Sequence, residues 1–149
     1  MRYFLLVLAL AGVVVSYLAL RVHYSTGPEV CSINEQWDCG VVNHSPFAML
    51  GGLPVLEKAP VLKNVPGLQQ VPVAALGIFG YVVIGVLGIF KRRWLVLAAA
   101  LAGAVFSIYL TYIEKDILMT YCIYCVTSLG IISLITLSTA GWLVVGRRS

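Results

Sequence analysis

Long apolar stretches alternate with polar segments along the chain, at residues 3–20, 71–90, 94–113 and 121–145, and none of the four contains a charged residue. A helix crosses the roughly 30 Å hydrocarbon layer of a bilayer with about 20 such residues. The pattern therefore predicts an all-α integral membrane protein, one domain over residues 1–149, built as a four-transmembrane-helix bundle. The last stretch is long enough for its first turn to stand in the interface or for the helix to tilt. The longest polar segment, residues 21–70, becomes a loop between the first and second helices.

Charge fixes the sidedness of this layout. Arg2, Lys91, Arg92, Arg93, Arg147 and Arg148 lie in the three segments that must share one side of four spans. Arg21, Lys58, Lys63 and Lys115 lie on the other, with all six acids: Glu29, Glu35, Asp38, Glu57, Glu114 and Asp116. Basic residues mark the cytoplasmic side, so both termini are expected there, with the 21–70 and 114–120 loops outside. The net charge of +4 is thus a topology signal. With no basic run beyond Lys91-Arg92-Arg93, it does not suggest nucleic-acid binding. The first stretch is longer than a signal-peptide core, and no small-x-small site precedes Arg21 to Tyr24, so it is expected to remain as a span. Composition agrees: 60% hydrophobic and 11% charged residues, mean hydropathy +0.96, against about a quarter charged in soluble domains.

All four cysteines fall on the predicted outer face. Cys122 and Cys125 form a Cys-Ile-Tyr-Cys at the start of the last helix, where residues three apart share a face. Thr120 as N-cap would place Cys122 in the first turn, where the helix dipole favours thiolate. Cys31 and Cys39 bracket a polar run, Ser32 to Asp38, expected to be mobile rather than a rigid element. Mobility suits thiol–disulfide exchange, in which the attacking sulfur must reach the disulfide directly. Two other readings remain at this point. The cysteines could form inert structural disulfides, within or between the pairs, or join His23 and His44 around zinc, although the spacing fits no usual zinc module. His44 alone reads as an interfacial polar residue.

Taken together, Cys31-x7-Cys39, Ser45 six residues on, the Gly52-Leu53-Pro54 motif, a Gly-rich second helix and Cys122-Ile-Tyr-Cys125-Val-Thr resemble the vitamin K epoxide reductase family over nearly the whole chain. The resemblance implies a four-helix bundle around a quinone, here of the bacterial type in the inner or cell membrane. Cys31 would exchange with a cysteine of a reduced extracytoplasmic thioredoxin-like protein. Cys39 would pass electrons to Cys122 through a transient disulfide. Cys125 would face the quinone and form a transient adduct with it. Ser45 would hydrogen-bond a ring oxygen, or else cap a short helix beginning at Pro46. No thioredoxin-like domain is expected within 1–149, so the dithiol donor would be a separate protein. The quinone could be ubiquinone, menaquinone or a vitamin K-like molecule.

The sequence departs from the family pattern in three places. Leu129 stands where the animal enzymes carry a tyrosine, and Val73 aligns with their second-helix asparagine. These changes favour a respiratory quinone over an epoxide as substrate. Some eighteen extra residues follow Gly52-Leu53-Pro54, with Pro54, Pro60, Pro66 and Pro72 at six-residue intervals. Such prolines prevent one long helix and suggest a lid, a partner-docking segment or a passive linker. The competing functions are an animal-type vitamin K epoxide reductase, a non-enzymatic scaffold held by structural disulfides, and a transporter subunit. A transporter would need ionisable residues within its spans, and these have none.

Overall fold

A computed structural model describes residues 2–25, 37–54 and 58–148. Cys31 and the expected loop residues 32–36 lie outside the described residues. The elements in chain order are α1 (Arg2–Tyr24), α2 (Cys39–Asn43), α3 (Pro60–Lys63), α4 (Val73–Ile89), α5 (Arg93–Ile113) and α6 (Ile123–Arg148). Short 3-10 turns occupy Pro46–Ala48, Leu50–Gly52 and Leu68–Gln70, and α5 continues into a π-helical turn at Glu114–Leu118. Three helices are long and apolar enough to cross a membrane: Arg2–Tyr24, Arg93–Leu118 and Ile123–Gly146. The fourth, α4, is shorter at 17 residues, near the lower limit for a span. Pro72 precedes it and Lys91, in the left-handed region at φ 56°, closes the turn into α5.

The long helices pack in the sequence α1 against α4, α4 against α5, α5 against α6 and α6 against α1. On α1 the buried positions are Leu5, Ala9, Gly12, Ser16, Ala19 and Val22, a stripe at three- and four-residue spacing. The stripe is rich in small residues because, between apolar helices in lipid, close backbone approach and van der Waals packing drive association. Gly12 shows the requirement: a Cβ there would collide with the Tyr81 ring of α4. Opposite, Phe4, Val7, Leu10, Val14 and Tyr17 are exposed, as expected of a face turned to lipid.

One apolar cluster, Leu5, Tyr81, Ile84, Val96, Ala100, Ile132 and Ile135, joins all four long helices. A second, Val22, Cys39, Val42 and Cys122, gathers the end that carries the cysteines. A third places Leu50, Leu53 and Ile113 together, with Leu68, Val71 and Val73 packed against them. The proline-spaced segment does break into short pieces: α3 begins at Pro60, Gly67 turns at φ 83°, and Leu50 N–H donates to the Val71 carbonyl at 3.0 Å. Its described part lies beside the third cluster, and of it only Pro72 reaches the wall of a cavity lined by the four long helices.

Candidate functional site

The cysteine end is assembled by directed backbone contacts. Trp37 pairs with Tyr121 in an isolated parallel bridge, and Asp38 N–H donates to the Tyr121 carbonyl at 3.1 Å. The two rings stand 5.5 Å apart between centroids. Cys39 follows two residues after Trp37 and Cys122 directly after Tyr121, and both are fully buried. The pairing thus brings together cysteines far apart in sequence.

Cys39 opens α2. The Asp38 carboxylate accepts the Gly40 and Val41 N–H groups at 2.9 and 3.3 Å, an N-cap that starts a helix of only five residues. Of the run Ser32 to Asp38 expected to be mobile, residues 32–36 lie outside the described residues, while Trp37 and Asp38 are tied to Tyr121. Capping and the bridge to Tyr121 fix residues 37–43 against the long helices.

Asn43, one turn after Cys39, is buried and was not singled out from sequence. Its Nδ2 donates to the Cys39 carbonyl at 2.9 Å and to Cys122 Sγ at 3.4 Å, so one side chain ties the two cysteine-bearing elements together. Its own carbonyl lies 2.6 Å from His23 Nδ1 at the end of α1. His44 Nε2 lies 2.9 Å from the Ser25 carbonyl. The histidines thus fasten α2 to α1, and among the described residues no group of metal-binding side chains occurs.

The last helix begins at Ile123, so Cys122 occupies the N-cap, its carbonyl accepting the Val126 N–H at 3.1 Å. Thr120 is not the cap, and Cys122 is not in the first turn. The physical reason is Met119, whose left-handed conformation at φ 53° ends the π-helical turn and delays the helix start. Cys122, which stands ahead of the spanning helix, is held below the ordinary thiol range. A hydrogen bond from Cys125 does most of this, against the opposing effect of burial. Cys122 and Cys125 are free thiols, and Cys39 is disulfide-bonded.

Below the cysteines lies a cavity of about 430 Å³. Its wall is largely apolar, with Cys125, His23, Asn43, Ser45, Tyr81 and Glu114 as its polar landmarks. The size and lining are those of a small-molecule site. Ser45 lies on the wall and at the N-cap position of Pro46–Ala48, but its hydroxyl makes no cap bond. It donates instead to the Val42 carbonyl at 2.7 Å, leaving its lone pairs toward other partners. Tyr81, also missed from sequence, is the hydroxyl carried by α4. It bonds the Ser128 carbonyl at 2.9 Å and the Ser128 hydroxyl at 2.8 Å, one turn beyond Cys125. Leu129, in place of the tyrosine expected by resemblance, packs into the apolar core.

Glu114 is one of the six acids that the sequence places on the outer side. It is buried, at 3% exposure, and accepts the Cys122 N–H at Oε2 over 3.2 Å. Its own carbonyl closes the turn by accepting the Thr120 N–H at 3.1 Å.

The arrangement places a disulfide-bonded cysteine beside a thiol pair, and the thiol pair above an apolar cavity. The family model described as vitamin K epoxide reductase family matches residues 3–140, and the chain belongs to that family. Members are membrane oxidoreductases that use quinone-type substrates or cofactors. No curated protein matches the chain.

Proposed function

We propose that this member of the vitamin K epoxide reductase family relays electrons from a reduced extracytoplasmic thioredoxin-like protein to a membrane quinone, and so promotes disulfide formation. The observation that carries the reading is the contact of Cys39 with Cys122 through Asn43, with Cys125 on the wall of the cavity below. Two dithiol pairs in that order connect a water-soluble thiol to a lipid-soluble oxidant.

In this reading α4 is a fourth span, both termini are cytoplasmic and the cysteines lie outside. The membrane is the inner or cell membrane of a bacterium. Cys31, outside the described residues, exchanges with the partner protein. A Cys39 thiolate then attacks Cys122 in its oxidised pair. Asn43 Nδ2 holds the two elements together and donates to the Cys122 sulfur, which favours its anionic form. Cys122 at the helix N-cap gains further from the helix dipole.

The cavity fits a quinone head group, a flat and mostly apolar ring with two carbonyl oxygens. Its apolar wall excludes water. Cys125 presents its sulfur to the space, and the Ser45 hydroxyl is placed to turn toward a ring oxygen if it releases Val42. A bound quinone supplies the two-electron oxidation of the Cys122/Cys125 thiols. Ubiquinone, menaquinone and vitamin K-like rings share this chemistry.

The test is oxidation of a reduced thioredoxin-like protein by the purified chain in detergent with a soluble quinone. Wild type should turn over in a quinone-dependent way and Cys125→Ala should not. Turnover of a vitamin K epoxide instead would favour the animal-type reductase. No turnover, with the cysteines resistant to mild reductant, would favour a structural scaffold.

A further inference from the structure

Glu114 is the one buried carboxylate of the described residues, and the relay proposed above gives it no task. A buried carboxylate without a basic partner is disfavoured as an ion, so its neighbours are informative. It sits at the end of α5, where the π-helical turn Glu114–Leu118 swings the side chain across to α6. There the carboxyl accepts the Cys122 N–H at 3.2 Å and neighbours the Cys125 thiol, whose one proton can point to Cys122 Sγ or to Glu114. It also lines the cavity on whose wall Cys125 lies. No basic side chain among the described residues acts on it. The titratable groups on the other walls of the cavity are His23 on α1, Tyr81 on α4 and Tyr124 on α6. Lys115 and Asp116 follow on its own turn and are exposed.

We infer that Glu114 is the proton carrier of the Cys122/Cys125 pair: it takes the proton from Cys125 Sγ and delivers it toward the oxidant in the cavity. The inference rests on the quinone-coupled reading for the identity of that oxidant. When the reduced pair is oxidised, two S–H bonds break and one Sγ–Sγ bond forms between Cys122 and Cys125. Two electrons leave to the quinone, with two protons, giving the quinol. The Cys125 proton passes to a Glu114 carboxylate oxygen and from there into the cavity, returning Glu114 to its carboxylate form. The Cys122 thiol supplies the second proton. A carboxylate suits this position because Cys122 is buried and Cys125 half-buried on an apolar wall, so a base held by the fold is nearer than bulk solvent. Its hydrogen bond to the Cys122 N–H holds it in reach through the cycle.

The test compares wild type with Glu114→Gln, a near-isosteric change that keeps an acceptor for the Cys122 N–H. The first readout needs no quinone. Reduced protein is treated with a small methanethiosulfonate across a pH series, and modification of each cysteine is followed by mass spectrometry. Wild-type Cys125 should show two ionisations, one of the carboxyl and one of the thiol, and Glu114→Gln should show one. The second readout is single-turnover reoxidation of the reduced pair by a soluble quinone, expected to slow about 100-fold in the variant, within the range of general acid–base catalysis. Glu114→Asp should keep two ionisations with a shifted midpoint. Identical pH profiles and rates in wild type and Glu114→Gln would overturn the inference. Wild type that quinone does not reoxidise would overturn the quinone reading instead, while the alkylation profiles still judge Glu114. Where the Gln variant fails to fold, infrared spectra of the reduced wild type across the same pH series decide. A protonated-carboxyl band whose titration coincides with the first ionisation seen at Cys125, and which shifts in Glu114→Asp, is expected; no band titrating with that ionisation would overturn the assignment.

Discussion

Around Leu5, Tyr81, Ile84, Val96, Ala100, Ile132 and Ile135 the four long helices meet almost wholly through apolar contact, with Tyr81 adding hydrogen bonds to Ser128. Around Cys39 and Cys122, α1, α2 and the ends of α5 and α6 are joined by Asp38 capping α2, Asn43 spanning two cysteines, His23 at the Asn43 carbonyl and Glu114 at the Cys122 N–H. The first region is insensitive to small displacements, because dispersion is spread over many contacts. The second depends on a few directed bonds in surroundings where an unmet polar group is costly. Apolar packing therefore serves to hold the helices, and the polar end serves to set the distance between sulfurs. Stability and electron transfer should separate along this line.

The largest effect on folding should come from the apolar region. Gly12→Val drives a side chain into the Tyr81 ring, and overpacking of this kind costs about 3 kcal/mol. Thermal unfolding in detergent should show the loss, together with weakened association of α1 with α4. A normal melting curve would mean that the helices separate without strain and that the close approach is unimportant.

Next comes Asn43→Ala, which removes one donor from the buried Cys39 carbonyl and one from Cys122 Sγ. The expected penalty is about 2 kcal/mol, felt mainly in the rate of exchange between the cysteine pairs. Stopped-flow thiol quenching should show roughly a tenfold slowing, taking about 1.4 kcal/mol per decade. An effect on melting alone, with exchange unchanged, would reduce Asn43 to a structural tie.

The smallest is Asp38→Ala. Losing the cap of α2 costs about 1 kcal/mol, and it should loosen residues 39–43 while leaving the apolar core intact. Hydrogen exchange at Gly40 and Val41 should accelerate with no matching change in α4 or α5. Uniform acceleration across all the helices would show that the two regions do not separate.

How much of this was legible in the sequence follows the same division. The long helices could be read because lipid imposes a length and a composition that no other solvent demands. Their ends drifted by a few residues: α1 runs on through Arg21 to Tyr24, since an exposed arginine at a helix end keeps its charge in polar surroundings while its stem packs. The Cys122/Cys125 spacing and the proline breaks were equally plain, being local. The burial of Glu114 was not legible because a count of charges assigns each to a side of the membrane and says nothing of its surroundings, which the turn at Glu114–Leu118 sets. Asn43 carried a faint signal, an amide four residues after Cys39 and so on the same helical face. That signal has meaning only once α2 is known to exist, which depends on Asp38 and on the distant Tyr121. Contacts between residues 80 positions apart leave no periodic trace.

The central claim is that the loop and helix cysteines exchange with each other, and trapping tests it most directly. Cys125→Ser removes the thiol that would resolve a Cys39–Cys122 bond. After mild oxidation and acid quenching, non-reducing peptide mapping should find Cys39 joined to Cys122 as a major species. Cys122 remaining a free thiol, with no Cys39–Cys122 peptide under any oxidant that preserves the fold, would contradict the relay.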